Sequence, residues 1–164
     1  MSRLIEFYRD EGRDSEGRTL EEIWSRSNEE LMHSDDVIQW LFPLDTKSAF
    51  NPDAPVLTPD DIVLFRKSPQ LQENTLTSFH RFIAVLGLSF EDGLIQEIKN
   101  VGLWIGPNHN WLRLTRILRS CSLLGHEQEA HALLSHCETK ATPAAVEMSM
   151  LYWKQAIRNL VKDK

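Results

Sequence analysis

The stretch Asn108-His109-Asn110-Trp111-Leu112-Arg113-Leu114-Thr115-Arg116-Ile117-Leu118-Arg119-Ser120 constrains the fold more than any other part of this chain. At about 100° per residue, Trp111, Leu114, Ile117, Leu118, Cys121 and Leu124 fall on one broad helical face. Leu112 and Leu123 fall together on the opposite side, beside Arg116 and Arg119. A helix that is apolar on two sides is packed by neighbours on both, so this one is expected at the centre of the domain. It runs from about His109 to Leu124 and is closed by Gly125. Arg116, lying between Leu112 and Leu123, is expected to be desolvated. A desolvated guanidinium needs a carboxylate, and Glu21, Glu22, Asp35, Asp36, Asp60 and Asp61 are available.

The rest of the chain also reads as helical. Leu4, Ile5 and Tyr8 mark a short first helix ending near Gly12. Thr19 with Glu22 three residues on forms a capping box, ahead of Leu20, Ile23 and Trp24. Asn28 or Ser34 opens the next turns, which end at Phe42 because Pro43 disfavours helix in the residue before it. Thr58-Pro59, Ser68-Pro69 and Thr142-Pro143 each place a hydroxyl at an N-cap and a proline at the first helical position. The second of these starts a helix that runs to Leu86 and stops at Gly87, a C′ glycine. Residues 88–107, rich in glycine, carry no strand-period run of useful length. Further helices span about Glu127–Lys140 and Pro143–Val161, the latter with Val146, Met150, Trp153, Ile157 and Leu160 on one stripe. The expected fold class is therefore all-α: a single compact multi-helix domain over 1–164, of about six to eight helices, with the Asn108–Leu124 helix central.

Length and composition allow this. A chain of 164 residues with 41% hydrophobic and 26% charged residues can bury an ordinary core without staples. Two cysteines, Cys121 and Cys137, are too few for a disulfide framework and point to a reducing, cytoplasmic compartment. The N-terminus has no signal-peptide core, and the longest apolar stretch, Phe82 to Phe90, is far short of the ~20 residues of a membrane span. The net charge of −6 opposes nucleic-acid binding. The arginine helix and the C-terminal Lys154, Arg158, Lys162 and Lys164 are the only basic patches, and neither has the exposed aromatic interleaving of a stacking platform.

Chemistry is sparse. His126, His131 and His136 are spaced by five residues, which turns successive imidazoles about 140° apart on a helix, so no metal site is expected. No nucleophile elbow, phosphate-cradling glycine loop or kinase signature is present. Cys121 lies on an apolar face and reads as an inert core thiol. The sequential carboxylate pairs suit helix starts better than acid/base work. No catalytic residue, no metal and no cofactor are assigned, and the chain is expected not to be an enzyme.

Two groups remain as candidate ligand-binding residues. Arg113, Arg116 and Arg119 either form ion pairs that fix helix packing or, with His109 and Asn110 at a helix N-terminus, line a cleft for an anionic group. Gln39 and Trp40 either form a ligand shelf or, the favoured reading, place Trp40 in the core with Gln39 bonding a neighbouring segment.

The arginine-helix motif and Val37-Ile38-Gln39-Trp40-Leu41-Phe42-Pro43-Leu44 upstream resemble the conserved domain of the opioid growth factor receptor family. Phe7-Tyr8-Arg9, Leu57-Thr58, Phe65, Leu123-Leu124-Gly125 and the Trp153 helix extend the resemblance over nearly the whole chain, in family order. Members are described as receptors for an endogenous opioid peptide, unrelated to the seven-helix opioid receptors, and vertebrate ones are associated with the nucleus. Without their repeat-bearing tail, this chain looks like a short, single-domain, microbial-type member. The resemblance implies a non-enzymatic domain that binds a peptide or protein partner. The competing expectation is a small-anion binder or enzyme built on His109, Asn110, Arg113 and Arg116.

Overall fold

In a computed structural model of the chain, residues 1–48, 51–105, 108–140 and 153–156 are described. The elements are α1 (Arg3–Tyr8), α2 (Leu20–Trp24), α3 (Asn28–Met32), α4 (Val37–Leu41), α5 (Pro59–Lys67), α6 (Pro69–Val85), β1 (Leu88–Glu91), β2 (Leu94–Glu97), α7 (His109–Leu123) and α8 (Glu127–Lys140). Trp153–Ala156 is also helical. Two compact units are distinguishable, Met1–Val85 and Leu86–Lys164. The protein is mostly helical, but β1 and β2 form an antiparallel hairpin, so the all-α expectation is corrected at this point.

Helix starts in the first unit follow local hydrogen-bonding chemistry. Thr19 accepts from the Glu22 N–H while Glu22 reaches back to the Thr19 N–H, a complete capping box. Thr58 and Asp61 do the same at α5, with Pro59 at its first position. The Ser68 hydroxyl accepts the Leu71 N–H at 3.3 Å at the start of α6. Carboxylates that might serve distant cations are thus committed close to home. Asp36 is another, since it accepts from Arg18, which also grips the fully buried Asp14 carboxylate at 2.7 Å.

The core of this unit is aromatic. Phe7 meets Trp40 and Tyr8 edge-on, Tyr8 meets Phe65, and Phe42 meets Phe82. What fixes their register is a polar stripe on α6. Asn74, Ser78 and Arg81, at i, i+4 and i+7, lie on one helical face. Asn74 Nδ2 donates to the Tyr8 carbonyl at 2.7 Å. Ser78 Oγ accepts the Trp24 indole N–H at 3.0 Å and lies 2.9 Å from the Tyr8 hydroxyl, which also bonds the Leu41 carbonyl. Arg81 donates to the Trp24 and Arg26 carbonyls and to Asn28 Oδ1. One face of α6 therefore ties down α1, α2, the start of α3 and the end of α4.

The second unit begins with a backbone constraint. Gly87 has φ +80, and a Cβ there would stand 2.1 Å from the Lys99 carbonyl oxygen. Its own carbonyl accepts the Ile98 N–H at 2.8 Å and the Lys99 N–H at 3.2 Å. Only glycine permits this close approach, which sets the mouth of the hairpin. The core of the unit includes Leu103, Trp111, Leu114, Ile117, Leu118, Leu133, Cys137 and Trp153. The Trp153 indole donates to the Trp111 carbonyl at 3.2 Å and the two rings meet edge-on. The Thr142-Pro143 start and the stripe residues Val146, Met150, Ile157 and Leu160 lie outside the described residues.

Ser78→Ala leaves the Trp24 indole and Tyr8 hydroxyl short of a buried partner and should destabilise the protein by about 1–3 kcal/mol, read by urea unfolding. A second expectation follows from the Arg18 cluster. Burial alone would raise the Asp36 carboxyl, but the bond and charge of Arg18, aided by the Ser34 hydroxyl, hold it below its ordinary value. A carboxyl lowered on folding contributes stability above its unfolded pKa, and that stability is lost as pH falls through the folded value. Asp36→Asn should therefore flatten the loss of stability below about pH 4, seen as a smaller drop in melting temperature between pH 5 and pH 3.

Candidate functional site

The hairpin begins with its turn. Asp92 and Gly93 both have positive φ, 53° and 79°, the two-residue geometry that Asp-Gly supports best. Leu88-Ser89-Phe90 and Leu94-Ile95-Gln96 flank this dipeptide, so the signal was present in the sequence. Strands of four residues are too short for a periodicity test to find. The register pairs Glu91 with Leu94, Phe90 with Ile95, Ser89 with Gln96 and Leu88 with Glu97.

Helix α8 packs beside this hairpin, and the two enclose an open groove of about 490 Å³. The hairpin contributes Gly93, Leu94 and Ile95 to its wall. From α8 come Gln128, His131, Ser135, His136 and Thr139, a polar face broken by Ala132. Five-residue spacing was expected to turn the histidines apart, yet His131 and His136 both line this groove, while His126 is buried. Among the described residues no three His, Cys, Asp or Glu side chains are placed to hold a metal ion.

At one side of the groove Glu97 joins two aromatic groups. Its Oε1 accepts the Trp104 indole N–H and lies 3.6 Å from His136 Nε2. The Trp104 and His136 rings are 5.7 Å apart. Among the described residues the buried His136 Nε2 has no hydrogen-bond partner. Burial lowers the pKa of this imidazole, Glu97 works against that shift, and Lys140 adds to it, so the net direction is towards the uncharged ring. Cys121 and Cys137 are buried, and burial raises both thiols far above their ordinary values, so neither is an available nucleophile.

The arginine helix has a different arrangement from the one expected. Asn108 caps α7 by accepting the Asn110 N–H at 2.9 Å, and its own amide donates to the Leu103 and Ile105 carbonyls. His109 is exposed. Asn110 and Arg113 are both buried and bonded to each other, Arg113 Nη1 to Asn110 Oδ1 at 3.0 Å. Arg116 and Arg119 are half-buried. Burial pushes the Arg116 guanidinium down to about 10, with repulsion from Arg119 adding to the shift. Leu112 is 71% exposed, so the second apolar side of the helix is open to solvent at that position and the expectation of packing there is corrected. Leu123, by contrast, is buried.

In the first unit Trp40 is buried against Phe7, with the Arg3 guanidinium 5.6 Å from its ring centre. Gln39 is buried too, accepting from Asn51 Nδ2 at 2.5 Å and donating to the Ser48 hydroxyl. The pair is built into the protein and ties a loop to α4. A cavity of about 180 Å³ touches Trp40 with Ser2, Arg3, Leu4, Asp53, Pro55 and Val56.

These residues sit in a sequence that matches the family described as the opioid growth factor receptor (OGFr) conserved region over residues 3–164. The chain belongs to the opioid growth factor receptor family. It is 32% identical over 127 residues to opioid growth factor receptor-like protein 1 of Xenopus tropicalis, covering 68% of this chain and 23% of that protein. It is 32% identical over 136 residues to the opioid growth factor receptor of Homo sapiens, covering 75% of this chain and 20% of that protein. The mouse opioid growth factor receptor-like protein 1 is 31% identical over 122 residues. The chain thus spans about a quarter or less of the length of these family members. No solved structure matches it. Among the described residues no helix is long and apolar enough to cross a membrane.

For this family member, Arg113→Ala strips the buried Asn110 Oδ1 of its donor and should cost about 1–3 kcal/mol, whereas Leu112→Ala should fall within about 0.5 kcal/mol of the parent. Urea unfolding of the two variants checks the order.

Proposed function

We propose that this domain is a non-enzymatic binding module whose partner is a peptide or a peptide segment of a protein. The observation that carries the reading is the open groove between the hairpin and α8. Its walls offer hydrogen-bonding groups, Gln128, His131, Ser135 and Thr139, beside the half-buried backbone of Gly93 and the exposed aliphatic surface of Leu94. Such a lining suits a chain of amides and mixed side chains better than a compact anion, which would want converging cations. Among the described residues His136 of the groove wall lies 3.6 Å from Glu97 and both thiols are buried, which supports recognition over covalent chemistry. The relatives' names, receptor and receptor-like, agree with a recognition role.

The anion reading draws less support. It requires His109, Asn110, Arg113 and Arg116 to converge on an open site, whereas Asn110 and Arg113 are buried and bonded to each other.

Peptide display against the purified domain, followed by calorimetric titration of the recovered sequences, tests the proposal. The expected result is a family of related peptides that bind one to one and lose at least tenfold in affinity on Ser135→Trp, which fills the groove. Failure to recover any sequence-defined binder, or binders indifferent to Ser135→Trp, overturns it.

A further inference from the structure

The groove has a second property, written in the hydrogen-bonding pattern of the hairpin. A two-residue turn makes Glu91 and Leu94 a hydrogen-bonded pair, and bonded pairs then alternate along an antiparallel ladder. The Ile98 N–H to Gly87 carbonyl bond confirms the phase. Ile95 and Glu97 therefore direct their backbone N–H and C=O groups away from β1. Among the described residues nothing bonds these four groups. Ile95 is at the same time part of the groove wall.

The two faces of β2 differ. Side chains alternate along a strand, so Ile95 and Glu97 share one face and Leu94, Gln96 and Ile98 the other. On the first face stands the Glu97 carboxylate, which among the described residues accepts the Trp104 indole N–H and lies near His136, with lone pairs to spare. On the second, Leu94 and, one residue past the strand, Ile98 are 63% and 62% exposed. The surroundings are acidic. Glu91, Asp92 and Glu97 of the hairpin face a single lysine, Lys99, and α8 adds three glutamates against one lysine.

From this we infer that the outer edge of β2 accepts an extended segment of a partner protein in which lysine or arginine alternates with apolar residues. Its backbone completes the ladder at Ile95 and Glu97. Its basic side chains lie on the Glu97 face at the groove, and its apolar ones cover Leu94 and Ile98. Strand addition of this kind draws affinity from main-chain bonds and selectivity from alternate side chains. A second copy of the chain fits less well, because β2 itself, Leu94–Glu97, carries no lysine or arginine to set against Glu97.

The inference rests on the peptide-binding reading and narrows it to one mode and one chemistry. The test uses a fluorescent Lys-Val-Lys-Val-Lys-Val peptide and fluorescence anisotropy with the full chain. Saturable binding is expected, weakened at least tenfold by N-methylation of one alternate set of residues and unchanged by methylation of the other. In antiparallel addition the sensitive set is the lysines. A block peptide of the same composition, Lys-Lys-Lys-Val-Val-Val, should bind at least tenfold more weakly, and Glu97→Gln should weaken the alternating peptide several-fold. Equal sensitivity to both methylated sets, or equal binding of the block peptide, overturns the proposal. So does a concentration-dependent dimer in sedimentation that the peptide fails to dissociate, which would assign the edge to a second copy. If displayed peptides bind the groove but ignore the alternating probe, this mode falls and the broader reading stands. If neither binds, both fall.

Discussion

The first unit depends on the inward polar face of α6. Asn74, Ser78 and Arg81 each bond a group on another segment of that unit. An apolar core of Phe7, Phe65, Phe79 and Phe82 could close in several registers, since hydrophobic contact is non-directional. Hydrogen bonds are directional and costly to leave unmade in a buried place. Trp24 and Tyr8 can satisfy their polar tips at Ser78 in one arrangement only, so the stripe selects among packings of similar apolar burial. This explains why short helices of five or six residues, α1 to α4, hold positions that their own propensity would not secure.

Glycine plays the corresponding part at the hairpin. The Lys99 carbonyl occupies the space of a side chain at Gly87, and the Gly87 carbonyl takes two N–H groups in return. The strands are only four residues long and would be marginal as an isolated hairpin. They are supported from both ends, by the glycine contact at the open end and the Asp-Gly turn at the closed end, and by α8 alongside. Rigid ends explain how the hairpin keeps its register with an edge that has no partner among the described residues at Ile95 and Glu97.

Much of this was legible in the sequence because it is local. The capping box at Thr19, the Thr58 and Ser68 caps, the stop at Gly87 and the α7 and α8 boundaries depend on residues within a few positions of one another. The hairpin was missed because its period-2 signal is four residues long on each side. The Asp-Gly dipeptide could have found it, since a turn signal does not need length. Other features were out of reach. A helical wheel places Leu112 opposite Leu114 and Cys121 but cannot say whether anything covers it. Likewise, Arg113 and Asn110 could be placed on one face, but their mutual bond depends on burial that only the fold supplies. Trp40 was expected in the core and is there, while Gln39 bonds residues nine and twelve positions away.

The groove belongs to a third class, features that exist only between elements. Gln128, His131, Ser135 and Thr139 look in sequence like the solvated face of an amphipathic helix, and Leu94 and Ile98 like stray exposed aliphatics. Neither set is informative alone, because most protein surface is of this kind. Bringing a polar helix face beside a strand whose outward amides have no partner among the described residues changes their meaning. Unpaired edges invite indiscriminate pairing, and natural proteins blunt them with charge. Here Glu97 on β2 and Asp92 in the turn set negative charge beside that edge. Charge of one sign there disfavours pairing with another acidic strand and suits the basic segment proposed for it.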